Sequence, residues 1–324
     1  MYTFKECQDI FEKHLKKMKL PEMPALLYEP INYTLNSDGK RIRPVITLMT
    51  CNLFSGSIEP AINCAISIEL FHNFTLLHDD IMDKSDIRRG RETVHKKWNG
   101  NVAILSGDTM MIKAFEYLSK SPSELLPEIL RIFNDTAIGV CEGQQFDMDF
   151  ETQKNVTVSD YLKMIELKTS VLIAASMKIG AICGGAGQKD AGYLYEFGKN
   201  LGIAFQLQDD LLDVYADQDI FGKVIGNDIV ANKKTFLLIS ALENANEDLL
   251  KELINWLEVE EFDRHEKIRA VTDIYNQLKI KELTEQKMAA YYQEATLSFE
   301  KVSVDSKKKI FLKELADSLM KRKK

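Results

Sequence analysis

Two short runs carry paired carboxylates at helical spacing: His78-Asp79-Asp80-Ile81-Met82-Asp83 and Gln208-Asp209-Asp210-Leu211-Leu212-Asp213. Residues four apart stack on one helical face, so Asp79 points with Asp83 and Asp209 with Asp213. Like charges so placed destabilise a helix unless a cation neutralises them. Hard oxygen ligands suit Mg2+, which keeps waters and shares phosphate oxygens. Both runs lie in apolar surroundings, with Phe71, Phe74, Leu76 and Leu77 before the first and Ile203, Phe205, Leu207, Leu211 and Leu212 around the second. Carboxylates set among core residues need a partner, and facing carboxylates are how helical bundles build metal sites.

Cations accompany them. Gly39-Lys40-Arg41-Ile42-Arg43-Pro44 precedes the first run, and Arg88 and Arg89 follow Asp83 by five and six positions. The planar fork of arginine fits phosphate oxygens, and two adjacent arginines in a loop can serve two different anions. Lys168-Thr169, Lys223 after Gly222, and Lys233-Lys234-Thr235 are further candidate phosphate donors. Metal-assisted handling of phosphate esters is the chemistry these residue types describe.

The elements that must position them read as helices. Apolar residues recur at helical spacing from Pro44 to Asp83, with a break at Ser55-Gly56-Ser57-Ile58-Glu59-Pro60, which predicts two antiparallel helices, the second carrying Asp79 and Asp83. A loop holds Arg88-Arg89-Gly90-Arg91. Helices are then predicted at about 103–118, 125–149, 159–182, 190–216, 234–242, 246–257, 262–297 and 306–320. No stretch shows sustained period-two alternation, so no sheet is expected. The chain reads as an all-α bundle, a single domain over 1–324.

Composition narrows the class. Only 7 Pro and 16 Gly in 324 residues argue against a loop-rich or all-β chain. A net charge of −7 gives no general attraction to nucleic acid, so none is expected as a partner. Cys7, Cys51, Cys64, Cys141 and Cys183 show no CxxC pair or ligand spacing and read as reduced core residues of a cytoplasmic protein. The N-terminal segment lacks the apolar core of a secretory signal, and the apolar run Val171 to Gly187 is interrupted by Lys178, so no membrane span is expected. The cationic run Lys307 to Lys324 reads as a solvated terminal helix.

The order GKRIRP, LLHDDIMDKSDIRRG, GQQFD, LKTS, FQLQDDLLDV, GKVIGND and KKT, from Gly39 to about Thr235, resembles that of the trans-isoprenyl (polyprenyl) diphosphate synthases, short-chain type. The last hundred or so residues match only in being helical. The resemblance implies a homodimeric prenyltransferase of isoprenoid biosynthesis, each chain a bundle of antiparallel helices around a central cavity. It would condense isopentenyl diphosphate with an allylic diphosphate (dimethylallyl, geranyl or farnesyl), using Mg2+, three ions with substrate bound, or Mn2+ in its place. By motif position, Asp79, Asp83 and Asp209 would be the main metal ligands, with Asp80, Asp210 and Asp213 in support. Arg88, Lys168, Thr169, Gln206, Lys223 and Lys233 would hold the allylic diphosphate. Lys40, Arg43, His72 and Arg89 would hold isopentenyl diphosphate. Gln144 and Asp147 would line the pocket.

The resemblance also bears on product length. The growing chain would thread along the helix of the first motif, so Phe71, Phe74 and Thr75 are candidates for the tunnel floor. A bulky aromatic at the place of Phe74 shortens products in this family, and the run Asp80-Ile81-Met82-Asp83 lacks the insertion of bacterial farnesyl diphosphate synthases. Geranylgeranyl diphosphate is the expected product, ahead of farnesyl diphosphate.

Other readings fit less. The Glu-x-x-His runs Glu69 to His72 and Glu92 to His95 are of the kind found in di-iron bundles, but Glu92 falls in a loop and the aspartate pairs would go unexplained. A terpene cyclase would usually replace the second aspartate motif. A non-catalytic partner subunit would be expected to lose aspartates or arginines that this chain keeps.

Overall fold

A computed structural model of the chain describes residues 1–216 and 225–321. These residues form two compact units. The first comprises Met1–Asn134, Ala175–Leu194 and Ser303–Lys313; the second comprises Asp135–Ala174, the described residues of 195–302, and 314–321. Lys223 lies outside the described residues.

The first unit opens with α1 (Phe4–Lys16), α2 (Ala25–Leu35) and α3 (Ile42–Phe54). Thr3 and Glu6 start α1 by satisfying each other's backbone N–H groups in a capping box. Next comes α4 (Ile62–Met82), entered through a short 3-10 turn at Glu59–Ala61 where Pro60 sits in the first turn, as its spacing predicts. Ile62, Ala65, Ile66, Ile68, Leu70, Phe71 and Leu77 are all buried, so α4 is a core helix, packed against α3 and α6 (Gly100–Leu118). The first carboxylate run occupies its last turn.

Between α4 and α6 the chain forms the one sheet among the described residues, β1 (Ile87–Arg88) paired antiparallel with β2 (Arg91–Glu92), followed by α5 (Val94–Lys97). No sheet is expected from the sequence, and the reason is length: two-residue strands are too short to register an alternation. Arg89 and Gly90, at φ 53° and 73°, form the two-residue turn with both central residues left-handed that hairpins favour. Tyr33 on α2 holds the hairpin, its hydroxyl donating to Glu92 O at 2.9 Å and its ring under the Arg91 guanidinium at 3.8 Å.

The second unit is organised by α7 (Leu126–Thr152), α8 (Val158–Ile165), α9 (Val171–Cys183) and α10 (Gln188–Tyr215), although α7, α9 and α10 each begin or end in the first. The single helix expected over 159–182 is interrupted by a π turn at Glu166–Ser170, where Val171 N–H bonds Glu166 O. After α10 come α11 (Asn227–Val230), α12 (Phe236–Asn244), α13 (Glu247–Glu258), α14 (Arg264–Gln277), α15 (Ile280–Glu300) and α16 (Ser306–Met320). The helix expected over 262–297 is two helices, broken where Lys279 turns left-handed at φ 54°. One core cluster joins Leu211 and Val214 of α10 to Leu237, Leu253, Val271 and Tyr275. Another joins Tyr161, Met164, Ile203, Leu207 and Phe236.

Two further expectations change. The terminal helix α16 is docked rather than solvated: Leu312 and Ala316 are buried, Tyr292 donates its hydroxyl to Asp317, and Gln208 Nε2 donates to Met320 O at 2.9 Å. Cys141 is exposed, whereas Cys7, Cys51, Cys64 and Cys183 are buried. No helix among the described residues is long and apolar enough to cross a membrane.

Candidate active site

In the first unit the geometry is set by the end of α4 and the hairpin. Asp83 caps the helix, its N–H bonding Asp79 O, and Ser85 N–H returns to Asp80 O. Asp79 is half-buried, Asp80 buried and Asp83 exposed, so the pair Asp79 and Asp83 is the more open to a ligand. Arg88 reaches back from β1: its Nε donates to Asp80 Oδ1 at 2.6 Å and its Nη2 stands 3.5 Å from Asp79 Oδ2. Burial pushes the Asp80 carboxyl above its ordinary range, with Arg88 opposing.

Arg89 turns the other way. Its Nη1 donates to Ser37 Oγ at 3.1 Å, and its guanidinium lies against Gly39, where a Cβ would come within 3.0 Å of Nη1. The two arginines therefore part, as adjacent loop arginines can. Tyr33, Ser37, Asn73, Asp80, Arg88 and Arg89 are among the residues lining a small, partly open cleft.

The segment Gly39 to Pro44 brings its own cations. Arg41 adopts a left-handed backbone at φ 50° and is buried; its Nη1 binds Glu69 Oε1 at 2.6 Å and its Nε binds Glu12 Oε1 at 2.9 Å. Burial works against the Arg41 charge, but Glu69 and Glu12 hold it. Glu69 is thus the counter-ion of an arginine rather than a metal ligand, and Glu92 is exposed on β2, so the di-iron reading loses its carboxylates. Arg43 Nη1 lies 3.3 Å from His72 Nε2, while Arg43 Nε is buried with no hydrogen-bond partner. Because a guanidinium only donates, His72 Nε2 must accept and its proton sits on Nδ1. Burial, then Arg43, Arg89, Arg88 and Arg41, push the His72 pKa well below its ordinary value. Lys40 is exposed.

In the second unit the π turn carries Leu167-Lys168-Thr169-Ser170. Such bulges redirect side chains and recur at functional sites. Two glycines permit it: a Cβ on Gly143 would come within 2.2 Å of Lys168 N, and one on Gly202 within 2.8 Å of Ser170 Cα. Lys168 Nζ binds Asp147 Oδ2 at 2.6 Å, and Thr169 Oγ1 donates to Gln206 Oε1 at 3.4 Å. Burial would raise the Asp147 carboxyl, yet Lys233 and Lys168 hold it below its ordinary range. Gln144 Nε2 is buried and has no hydrogen-bond partner among the described residues.

The second carboxylate run divides its labour. Asp210 is buried and receives the Tyr161 hydroxyl on Oδ2 and Gln206 Nε2 on Oδ1 at 3.3 Å. Asp213 accepts from Asp228 N–H at 3.0 Å. Asp209 is half-buried. Burial, then the neighbouring Asp228, push Asp210 up to about 7, and burial pushes Asp228 up to about 6. Asp228 and Tyr161 were not singled out from the sequence. Asp228 stands in the quoted GKVIGND run and could have been found there; Tyr161 reads as one more apolar-face aromatic. Lys233 is exposed and follows Asn232, which is left-handed at φ 52°; Asn232 Oδ1 receives Nζ of the fully buried Lys267 at 2.8 Å.

Each motif offers a pair of hard oxygen donors, and among the described residues no three His, Cys, Asp or Glu side chains converge on one point. That donor set fits Mg2+, which completes its octahedron with water and substrate phosphate, better than a metal caged by protein.

The aromatic residues before the first motif pack against each other with tilted rings. Phe71 is buried and Phe74 half-buried, with ring centroids 5.6 Å apart, and Thr75 donates its hydroxyl to His72 O.

Comparison with known proteins identifies the family and the fold. The family described as polyprenyl synthetase matches residues 24–275, a longer stretch than the motifs from Gly39 to Thr235 alone indicate. The geranylgeranyl diphosphate synthase of Methanosarcina mazei is 46% identical over 222 residues, 68% of each chain. The geranylfarnesyl diphosphate synthase of Natronomonas pharaonis is 38% identical over 255 residues, 73% of this chain and 74% of that protein. A crystal structure of geranylgeranyl pyrophosphate synthase superimposes with a TM-score of 0.95 at 42% identity over 100% of both chains. That agreement reaches the last hundred residues, where the sequence resemblance was helical only.

Proposed function

The chain belongs to the polyprenyl synthetase family and is a prenyltransferase of isoprenoid biosynthesis, and from that premise we propose that it adds isopentenyl diphosphate head-to-tail to an allylic diphosphate, forming geranylgeranyl diphosphate. The observation that carries the reading is Arg88 bridging Asp79 and Asp80 while Arg89 turns away to Ser37 beside Gly39, because it provides two separate cationic stations at the end of one carboxylate helix.

Asp79, Asp83 and Asp209 are the side chains that would hold Mg2+. Asp80 and Asp210, whose oxygens are engaged by Arg88 and by Tyr161 and Gln206, are suited to support rather than direct ligation. When bound, the ion supplies Lewis acidity to the departing diphosphate. Arg88, Lys168, Thr169, Gln206 and Lys233, with Lys223, bind and orient the allylic diphosphate and stabilise the charge that grows on it as the C–O bond breaks. Lys40, Arg43, Arg89 and the neutral His72 hold isopentenyl diphosphate so that its double bond meets the allylic carbon, and loss of a proton to the released diphosphate then restores a double bond; positioning supplies much of the remaining rate. Gln144 and Asp147 line the pocket, and apolar walls keep water from the carbocation. Phe74, with Phe71 and Thr75, forms the floor on which the product stops. The working form is a homodimer.

The test is direct. Purified protein with Mg2+, isopentenyl diphosphate and dimethylallyl, geranyl or farnesyl diphosphate is expected to release geranylgeranyl diphosphate as the main product, and chelation to abolish it. Absence of elongation with every primer would overturn the reading. Light scattering reports whether the active species is a dimer.

A further inference from the structure

We infer that Phe133, on α7 and remote in sequence from both aspartate motifs, is a specificity-determining residue that fixes product length from behind, by bracing the ring of Phe74. This rests on the reading of Phe74 as the product floor. The observation is a continuous aromatic column within the first unit. His78 and Phe74 meet edge-to-face with centroids 4.8 Å apart, Phe74 and Phe71 are 5.6 Å apart, Phe71 and Phe133 meet edge-to-face at 5.3 Å, and Phe133 and Phe115 at 5.2 Å. His78 is itself placed by its Nε2 at 3.2 Å from Ile104 O, so the column is anchored at the motif end.

Burial says which ring moves and which hold. Phe71 is 0% and Phe133 2% exposed, whereas Phe74 is only half-buried. A half-buried ring in contact with solvent or substrate on one side is located by what stands behind it, and in a close-packed interior it withdraws only if that volume opens. The ring behind Phe74 is Phe71, and Phe71 cannot retreat while Phe133 meets it edge-on. Shortening Phe133 removes that stop without altering any residue of the α4 face itself. Phe71 then drops back, Phe74 follows, and the floor deepens. The ligand that would occupy the new depth is the apolar tail of a prenyl diphosphate longer by one or more five-carbon units.

The experiment sizes products from farnesyl diphosphate with excess isopentenyl diphosphate for the wild type, Phe74→Ala, Phe133→Leu, Phe133→Met and the double variant Phe74→Ala with Phe133→Leu. Length is a readout that general destabilisation does not move. Phe74→Ala and Phe133→Leu are both expected to shift the main product by at least one isoprene unit, and the double variant to go no further than Phe74→Ala, since both act through one ring. Phe133→Met, which removes about as much volume as Phe133→Leu but leaves a flexible side chain, is expected to give mixed lengths and stands in if Phe133→Leu fails to fold. If Phe74→Ala lengthens the product while both Phe133 variants leave it unchanged, the brace is wrong and the floor reading stands. If Phe74→Ala is silent, the floor reading fails; lengthening by Phe133→Leu alone would then also overturn the brace, because it would be acting on something other than Phe74.

Discussion

Arg88 spans two carboxylates of one motif, its Nε donating to Asp80 Oδ1 at 2.6 Å while its Nη2 stands 3.5 Å from Asp79 Oδ2. The fork does what a point charge cannot: one arm meets the buried carboxylate and the other reaches towards the more open one. On the proposed reading, the guanidinium would already stand where the diphosphate's anionic oxygen arrives.

Arg88→Lys keeps the charge and loses the fork. A charge-assisted hydrogen bond contributes on the order of 1.5–3 kcal/mol, so kcat/KM is expected to fall roughly tenfold to a hundredfold, read by steady-state kinetics with the allylic substrate varied. Wild-type kinetics for Arg88→Lys would show that Arg88 acts only as a neutralising charge.

The placement of Asp79, Asp83 and Asp209 on helices or at a helix end, and of Arg88 and Arg89 beside a tight turn, was legible because each signal is local: helical spacing and a charged loop are properties of a few neighbouring residues. What the sequence hides is pairing across distance. Tyr161 is 49 residues from Asp210, and nothing in its neighbours announces a hydroxyl aimed at a carboxylate. Arg41 stands in the same basic run as Lys40 and Arg43, yet Glu69 and Glu12 claim it. The π turn at Glu166–Ser170 escapes periodicity because one extra residue in a turn leaves the apolar pattern on either side intact. Helix positions held for α4, α6 and α10, where burial is strong, and failed at Lys279, where a left-handed residue breaks a pattern that remains apolar and charged in helical order.

The buried carboxyls give a pH signature of the ligand-free protein. Asp228 is pushed up to about 6 and Asp210 up to about 7, burial being the first cause in both. An unfolded aspartate titrates near ~3.9. Between those values the folded state retains protons that the unfolded state has released, so these groups contribute stability that is full below ~3.9 and is lost as pH rises through about 6 to 7. Asp228→Asn mimics the protonated form at every pH. The Tm of Asp228→Asn minus that of the wild type is therefore expected to become more positive from about pH 4.5 to about pH 7.5. A difference independent of pH would show that Asp228 titrates normally.

Gly143 makes a steric prediction about the π turn. A Cβ there would come within 2.2 Å of Lys168 N, which is backbone and cannot step aside, whereas one on Gly56 meets nothing within 4 Å. Gly143→Ala is expected to cost about 1–3 kcal/mol of stability and to reduce kcat severalfold beyond that by moving Lys168 and Thr169. Gly56→Ala is expected to leave both unchanged. Thermal melts and kinetics on the two variants decide it; equal behaviour would mean that the two helices can separate without consequence.

Glu69 and Glu12 share Arg41 but are not equivalent. The Glu69 and Arg41 side chains are 2% and 3% exposed, whereas the Glu12 side chain is 32% exposed. Water and salt screen the outer contact; they do not reach the inner one. Glu69→Gln therefore leaves a buried guanidinium whose remaining carboxylate partner, Glu12, stands at the rim, and removes the carboxylate that also steadies Arg43 and Arg89. Breaking a buried pair by removing one partner costs about 3–5 kcal/mol, so Glu69→Gln is expected to lower stability by that order, and Glu12→Gln by about 1 kcal/mol or less. Denaturant melts at low and high salt separate the two: the Glu12→Gln loss shrinks in salt and the Glu69→Gln loss does not. If both losses shrink alike, the inner pair is more hydrated than its burial implies, and the left-handed turn at Arg41 must be held by the bonds of its guanidinium to Leu35 O and Ser37 O instead.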